Sequence, residues 1–155
     1  MRSVLNMGRD IGIDTRALES FRDQIQKMEQ QAVNEFFESL AKEIAARLLR
    51  KVIKRTPSKT GNLRLLWGSA KDRKVKKTGN TYEVTIENSA SYASYVEYGH
   101  RQTPGRFVPA IGKRLVNDWV EGKFMLTLSE HEIKGQLPGI IKRKMEAWLA
   151  GLGGS

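Results

Sequence analysis

The chain has 155 residues, enough for one domain with a buried core and no covalent staples, and its lack of cysteine excludes a disulfide framework and a thiolate zinc site. No run of about 18 apolar residues occurs, and Met1 to Ile13 hold no apolar stretch of signal-peptide character, so a soluble protein of a reducing cytosol is expected, with no membrane partner. The formal net charge of +10 is concentrated: between Lys42 and Lys77 thirteen bases stand against two acids, which leaves the rest of the chain near −1. Such a block draws polyanions, either a nucleic-acid backbone or an acidic protein face, while the plainer reading is a solvated face kept soluble by repulsion.

In chain order, residues 1–16 read as a flexible N-terminal arm. Ala17 to Met28 then place Leu18, Phe21, Ile25 and Met28 at helical spacing, with a bend expected near Glu29 to Gln31. From Val33 to Ile53 the apolar residues Val33, Phe37, Leu40, Ile44, Leu48 and Val52 step by three and four, which predicts an amphipathic helix. Thr56-Pro57 ends it, because proline disfavours a helical residue before it and cannot continue the ladder. Lys77-Thr78-Gly79-Asn80 reads as a turn before strict alternation at Tyr82, Val84 and Ile86, so a β-hairpin follows. A further strand over Arg114 to Val120 is expected beside that hairpin. Helix returns at Phe124 to Ile133, and Pro138 suits the first turn of a last helix whose stripe is Leu137, Ile141, Met145, Trp148 and Leu149. Residues 151–155 read as a disordered tail. The order predicts a single α+β domain over 1–155: a small antiparallel sheet packed against a long N-terminal helix and C-terminal helices.

Chemistry is thin. The two histidines, His100 in an exposed loop and His131 on a helix, lack the i, i+4 partners of a metal-binding helix. No nucleophile elbow, phosphate-binding loop or dinucleotide fingerprint occurs, since Gly122-Lys123 lacks both the earlier glycine and the following Ser or Thr. The chain therefore reads as a non-enzyme without metal or cofactor, acting through its surfaces.

The densest segment is Tyr92-Ala93-Ser94-Tyr95-Val96-Glu97-Tyr98-Gly99. Tyr92, Tyr95 and Tyr98 recur every three residues, so a helical turn aligns them in one stripe whose first reading is core packing. Gly99 then supplies a positive-φ end to that turn. Glu97 either faces water or needs a cation, for which the upstream bases are candidates. Residues 101–113 form an exposed assembly loop, with Arg101, Gln102, Thr103, Arg106, Phe107 and Val108 as candidate interface residues. Lys71, Arg73, Lys74, Lys76 and Lys77 are the candidate polyanion contacts, under the alternative that the chain is a nucleic-acid-binding module.

Taken together in register, these landmarks resemble a known family, the Hong Kong 97 phage gene-product-ten family of neck and tail-completion proteins of tailed bacteriophages. The resemblance runs from about Phe36 to Leu149. It rests on the helix entering Arg55-Thr56-Pro57, the Thr60-Gly61-Asn62-Leu63-Arg64 turn, the Tyr82 to Asn88 strand, the tyrosine segment through Gly99, and the Phe124-Met125-Leu126 helix start. It implies a structural virion protein that forms or completes a ring joining the tail to the head connector, hexameric on the tail side or dodecameric on the portal side. Its partners would be copies of itself, connector and tail proteins, with non-specific DNA as the alternative. Its location would be the virion, reached through assembly in the bacterial cytoplasm.

Overall fold

The computed structural model describes residues 2–6, 30–58, 61–68 and 74–153. Chain order is strand β1 (Arg2–Asn6), helix α1 (Gln30–Arg55), a short helix α2 (Asn62–Leu65), strands β2 (Lys76–Thr78) and β3 (Thr81–Glu87), and helix α3 (Ala93–Tyr98). Strands β4 (Gly99–Arg101), β5 (Phe107–Val108), β6 (Lys113–Arg114) and β7 (Trp119–Glu121) follow, and helix α4 (Met125–Gly153) ends the chain. The α+β class expected from the element order is the observed one, with the sheet order β1-β3-β2 antiparallel throughout.

Helix α1 buries Val33, Phe36, Leu40, Ala41, Ile44, Ala45, Leu48, Leu49 and Val52, a stripe wide enough to meet two neighbours. One neighbour is β3, whose alternation sends Tyr82, Val84 and Ile86 into the core. The other is α4, through Met125, Ile133, Leu137, Ile140 and Ile141. Phe36, not the expected Phe37, is the buried member of the pair; its ring lies 4.8 Å from that of Trp148, while half-buried Phe37 stacks on Tyr82 at 5.5 Å. Ion pairs tie the two helices at their edges: Lys51 to Glu132 at 2.7 Å, Arg55 to Glu132, and Lys144 to Glu43 at 2.9 Å.

The helix stop at Thr56-Pro57 is also a hub. The Thr56 hydroxyl donates to the Val52 carbonyl (2.7 Å) and accepts from the Trp67 indole N–H (2.9 Å), and Arg64 Nε donates to the Thr56 carbonyl (2.7 Å). Asn88 closes the same layer by donating to the Leu63 carbonyl at 2.8 Å.

Four further expectations are corrected. Arg2–Asn6, placed by sequence in a flexible arm, pair in register with β3 from Arg2↔Glu87 to Asn6↔Glu83; the rest of that arm and the Ala17 to Met28 helix lie outside the described residues. The strand expected over Arg114 to Val120 is broken into β6 and β7, which pair with β5 and β4 and not with the β2–β3 hairpin. Pro138 opens no new helix: α4 runs through it. Proline frees the carbonyl of Lys134, and since Lys134, Gly135, Gln136, Pro138 and Gly139 are all exposed, that side of the helix is open to water, which can bond the freed group. Finally, α4 reaches Gly153, into the tail expected to lack order.

Candidate assembly surface

The tyrosine segment folds as α3, but its buried residues are Ala93 and Glu97, four apart, and the tyrosines face outward. Tyr92, Tyr95 and Tyr98 are 41%, 58% and 59% exposed, which overturns the reading of them as core. The stripe is real; its direction is reversed. Val96 is half-buried between them.

What fixes that direction is Glu97. Its carboxylate is fully buried, and among the described residues none of the upstream bases pairs with it. One oxygen accepts from the Leu126 amide at 2.9 Å, the other from the Thr127 amide at 2.9 Å and the Thr127 hydroxyl at 2.7 Å. These amides belong to the first turn of α4, where the helix leaves them without internal partners and where its dipole favours a negative charge. Glu97 is thus an N-cap delivered from another helix. Its backbone joins in, because the Glu97 carbonyl accepts from the Phe124 amide (3.0 Å) and the Val96 carbonyl from the Lys123 amide (2.7 Å).

Two glycines let the chains cross there. Gly99 has φ +83, as the sequence suggested, and a Cβ on it would run into the Val120 carbonyl and come within 2.9 Å of the Trp119 side chain. A Cβ on Gly122 would overlap the Glu97 carbonyl oxygen and lie 2.6 Å from Tyr98 C. Phe124, next to the crossing, takes φ +47, unusual for a bulky residue, and is 39% exposed. Met125, beside it, is fully buried.

From this crossing an arm projects. The expected loop over 101–113 is one side and the tip of a two-stranded arm spanning Gly99 to Glu121. Its root pairs Gly99↔Glu121, His100↔Val120 and Arg101↔Trp119, and its outer rungs pair Phe107↔Arg114 and Val108↔Lys113. Between them Gln102 N–H donates to Asp118 O (2.8 Å) and Gly105 N–H to Leu115 O (2.8 Å), while a turn at Thr103 to Arg106 gives one side an extra residue and bends the arm. The tip is a 3-10 turn, Pro109–Ile111, closed by Gly112 at φ +62.

No residue between Gly99 and Glu121 is buried. The candidates Arg101, Thr103, Arg106 and Phe107 are exposed, and Gln102 and Val108 half-buried. Sequence reasoning missed Ile111, Val116 and Trp119, which are 58%, 86% and 42% exposed; the only available signal was apolar residues in a stretch of turn-forming composition. His100, expected in a free loop, is half-buried in β4 with its ring 5.6 Å from that of Tyr95 and its Nδ1 unpartnered. Against the arm's root lies a groove of about 260 Å³ whose walls include Pro57, Leu63, Tyr92, Tyr95, Val96 and Val120.

The basic block is partly consumed. Lys42 pairs with Glu38 and Arg47 with Glu43, while Lys51 and Arg55 share Glu132. Lys71 and Arg73 lie outside the described residues. Lys74, Lys76 and Lys77 are exposed at or beside β2, the edge strand, where lysines discourage further strand pairing, and Lys77 also donates to Asn34 at 2.7 Å.

A family model described as "Bacteriophage HK97-gp10, putative tail-component" matches residues 19–99, just over half of the chain. The chain belongs to the HK97-gp10-like family. The match takes in α1, α2, the β2–β3 hairpin and α3, so Glu97 and the Tyr92 to Tyr98 surface lie within the family's segment. It ends at Gly99, where the arm begins, so the arm and α4 extend beyond it. No curated protein and no solved structure matches the chain. Membership in the HK97-gp10-like family gives the protein a structural role in a phage particle, as a tail component. Among the described residues no helix is long and apolar enough to cross a membrane.

Proposed function

We propose that this protein forms or completes a ring at the top of a phage tail, where the tail meets the head connector, and that it acts by binding and not by catalysis. The observation that carries this is the arm: from Gly99 to Glu121 nothing is buried, yet four large apolar side chains are held out by an ordered ladder of hydrogen bonds. An isolated two-stranded hairpin is marginal in water, so an arm this long with apolar residues on display is built to be covered. Ring subunits need such reach, because each must grip a neighbour through a surface unlike the one it presents. The family's place in the tail agrees with that use. The nucleic-acid reading loses support, since four bases of the block are engaged in ion pairs within the chain.

Electron microscopy of particles assembled with and without the protein tests the proposal. Loss of the protein is expected to leave heads and tails unjoined, or tails lacking their terminal ring. Complete, joined particles without it would overturn the reading.

A further inference from the structure

The arm's tip does not fill the groove of its own chain: Phe107 and Ile111 are 51% and 58% exposed, and no residue from Arg101 to Trp119 lines the groove. We infer that the groove formed by Tyr92, Tyr95, Val96, Leu63 and Val120 receives Phe107 and Ile111 from the arm tip of a second copy of this chain, a head-to-tail contact that closes the ring. The inference rests on the ring reading above and gives it an interface.

Three observations select a second copy as the occupant. First, the knob and the hole are complementary: the tip offers Phe107 and Ile111 half-exposed, and the groove, about 260 Å³, offers two tyrosine faces and aliphatic walls. Second, the charges fit. Arg106, Lys113 and Arg114 flank the tip with no acid from Arg101 to Asn117, whereas the groove lining sets Glu121 against Lys123, beside His100, and includes Tyr92 and Tyr95, a residue type whose rings attract guanidinium groups. In a chain of net charge +10, a lining with no excess of positive charge is a suitable place for this tip. Third, the part of the arm that does not line the groove, Arg101 to Trp119, is 19 residues long, close to the roughly 20–30 residues a side that a stable interface uses. A knob and a hole at different places on one surface generate a heterologous contact, which closes into a ring when the rotation permits.

The absence of cysteine makes disulfide trapping clean. Purified full-length Ile111→Cys and Tyr95→Cys are mixed at millimolar concentration under mild oxidation, with Ile111→Cys and Lys54→Cys as the control pair, and the oligomeric state is followed by sedimentation. The expected result is a tip-to-groove dimer well above the control, and in the Ile111→Cys/Tyr95→Cys double variant a ladder that ends in one closed species. The variant Phe107→Ser/Ile111→Ser is expected to keep the parental melting temperature and remain monomeric, because the arm contributes nothing to the core. Oligomers without tip-to-groove linkage overturn this contact while leaving the ring reading intact, and a chain that stays monomeric at that concentration also overturns it. Linkage in a protein whose removal leaves particles complete would sink the junction role and keep the contact.

Discussion

Replacing Glu97 with glutamine tests the joint on which the assembly surface hangs. The substitution keeps volume and shape but turns one of two accepting oxygens into an NH2 group aimed at an amide or hydroxyl that also donates. Leu126 is buried, so its amide cannot turn to water, and a buried unsatisfied donor costs about 1–3 kcal/mol. Loss of the negative charge at the start of α4 removes a further ~0.3–2 kcal/mol of charge–dipole stabilisation. The two contributions sum to about 1–5 kcal/mol, near 3 kcal/mol at the centre of the range, for Glu97→Gln, and to about 3–5 kcal/mol for Glu97→Ala, which strands every donor of the site. With a urea slope near 2 kcal/mol/M, the midpoint of unfolding should fall by about 1.5 M for the glutamine variant. Hydrogen exchange should show the Leu126 and Thr127 amides losing protection before the middle of α4 does. Glu121→Gln, at an exposed carboxylate, should stay within ~0.5 kcal/mol of the parent. A Glu97→Gln protein equally close to the parent would refute the reasoning, since the cap would then hold nothing.

Gly99→Ala combines a left-handed backbone with a Cβ driven into the Val120 carbonyl, and should cost about 2–5 kcal/mol, read as a fall in melting temperature; Gly105→Ala, with the same φ but open space around it, should cost only about 1 kcal/mol. Thr56→Val leaves the Trp67 indole N–H without its acceptor and should destabilise by about 1–3 kcal/mol, with a smaller loss in a Trp67→Phe background measured by the same urea titration. The Lys144 hydrogen bond, helped by Arg47 and opposed by partial burial, holds the Glu43 carboxyl below its ordinary value of 4.5. A lowered folded-state pKa means the pair stabilises above the unfolded titration and that this contribution disappears as pH falls through the folded value. The stability difference between parent and Lys144→Met should therefore be constant above about pH 5 and shrink below it, and a difference that persists to strong acid would contradict the pairing. Tyr95→Ala should leave folding stability within ~0.5 kcal/mol, because its ring is 58% exposed.

Periodicity alone recovers α1, its stop at Thr56-Pro57, and β3, because each is set by neighbours within one or two turns or a single strand. The turn at Gly79-Asn80 is equally local, and Gly79 takes a positive φ there, +60. The candidate surface is different in kind. The period of three in Tyr92, Tyr95 and Tyr98 places them on one face, yet which face turns inward depends on where Glu97 finds donors, and these lie 29 and 30 residues away at Leu126 and Thr127. A carboxylate is ordinarily read as the outward residue of such a segment; here the amides of a helix start, which have no partner within their own helix, make it the inward one, and the aromatic rings are displaced to solvent as a result. The same long-range dependence hides β1, whose partners in β3 lie about half the chain away, from Arg2↔Glu87 to Asn6↔Glu83, and the arm, whose two sides are matched by backbone hydrogen bonds and not by alternation of apolar residues. Pro138 misleads for a complementary reason: the rule that proline breaks a helix assumes an orphaned carbonyl with no alternative partner, and on the solvent face of α4 water can supply one. Local pattern thus identifies the scaffold. The direction in which its tyrosines and arm face follows from one buried charge satisfied across the fold, so the surface available for assembly is a consequence of how α4 is capped.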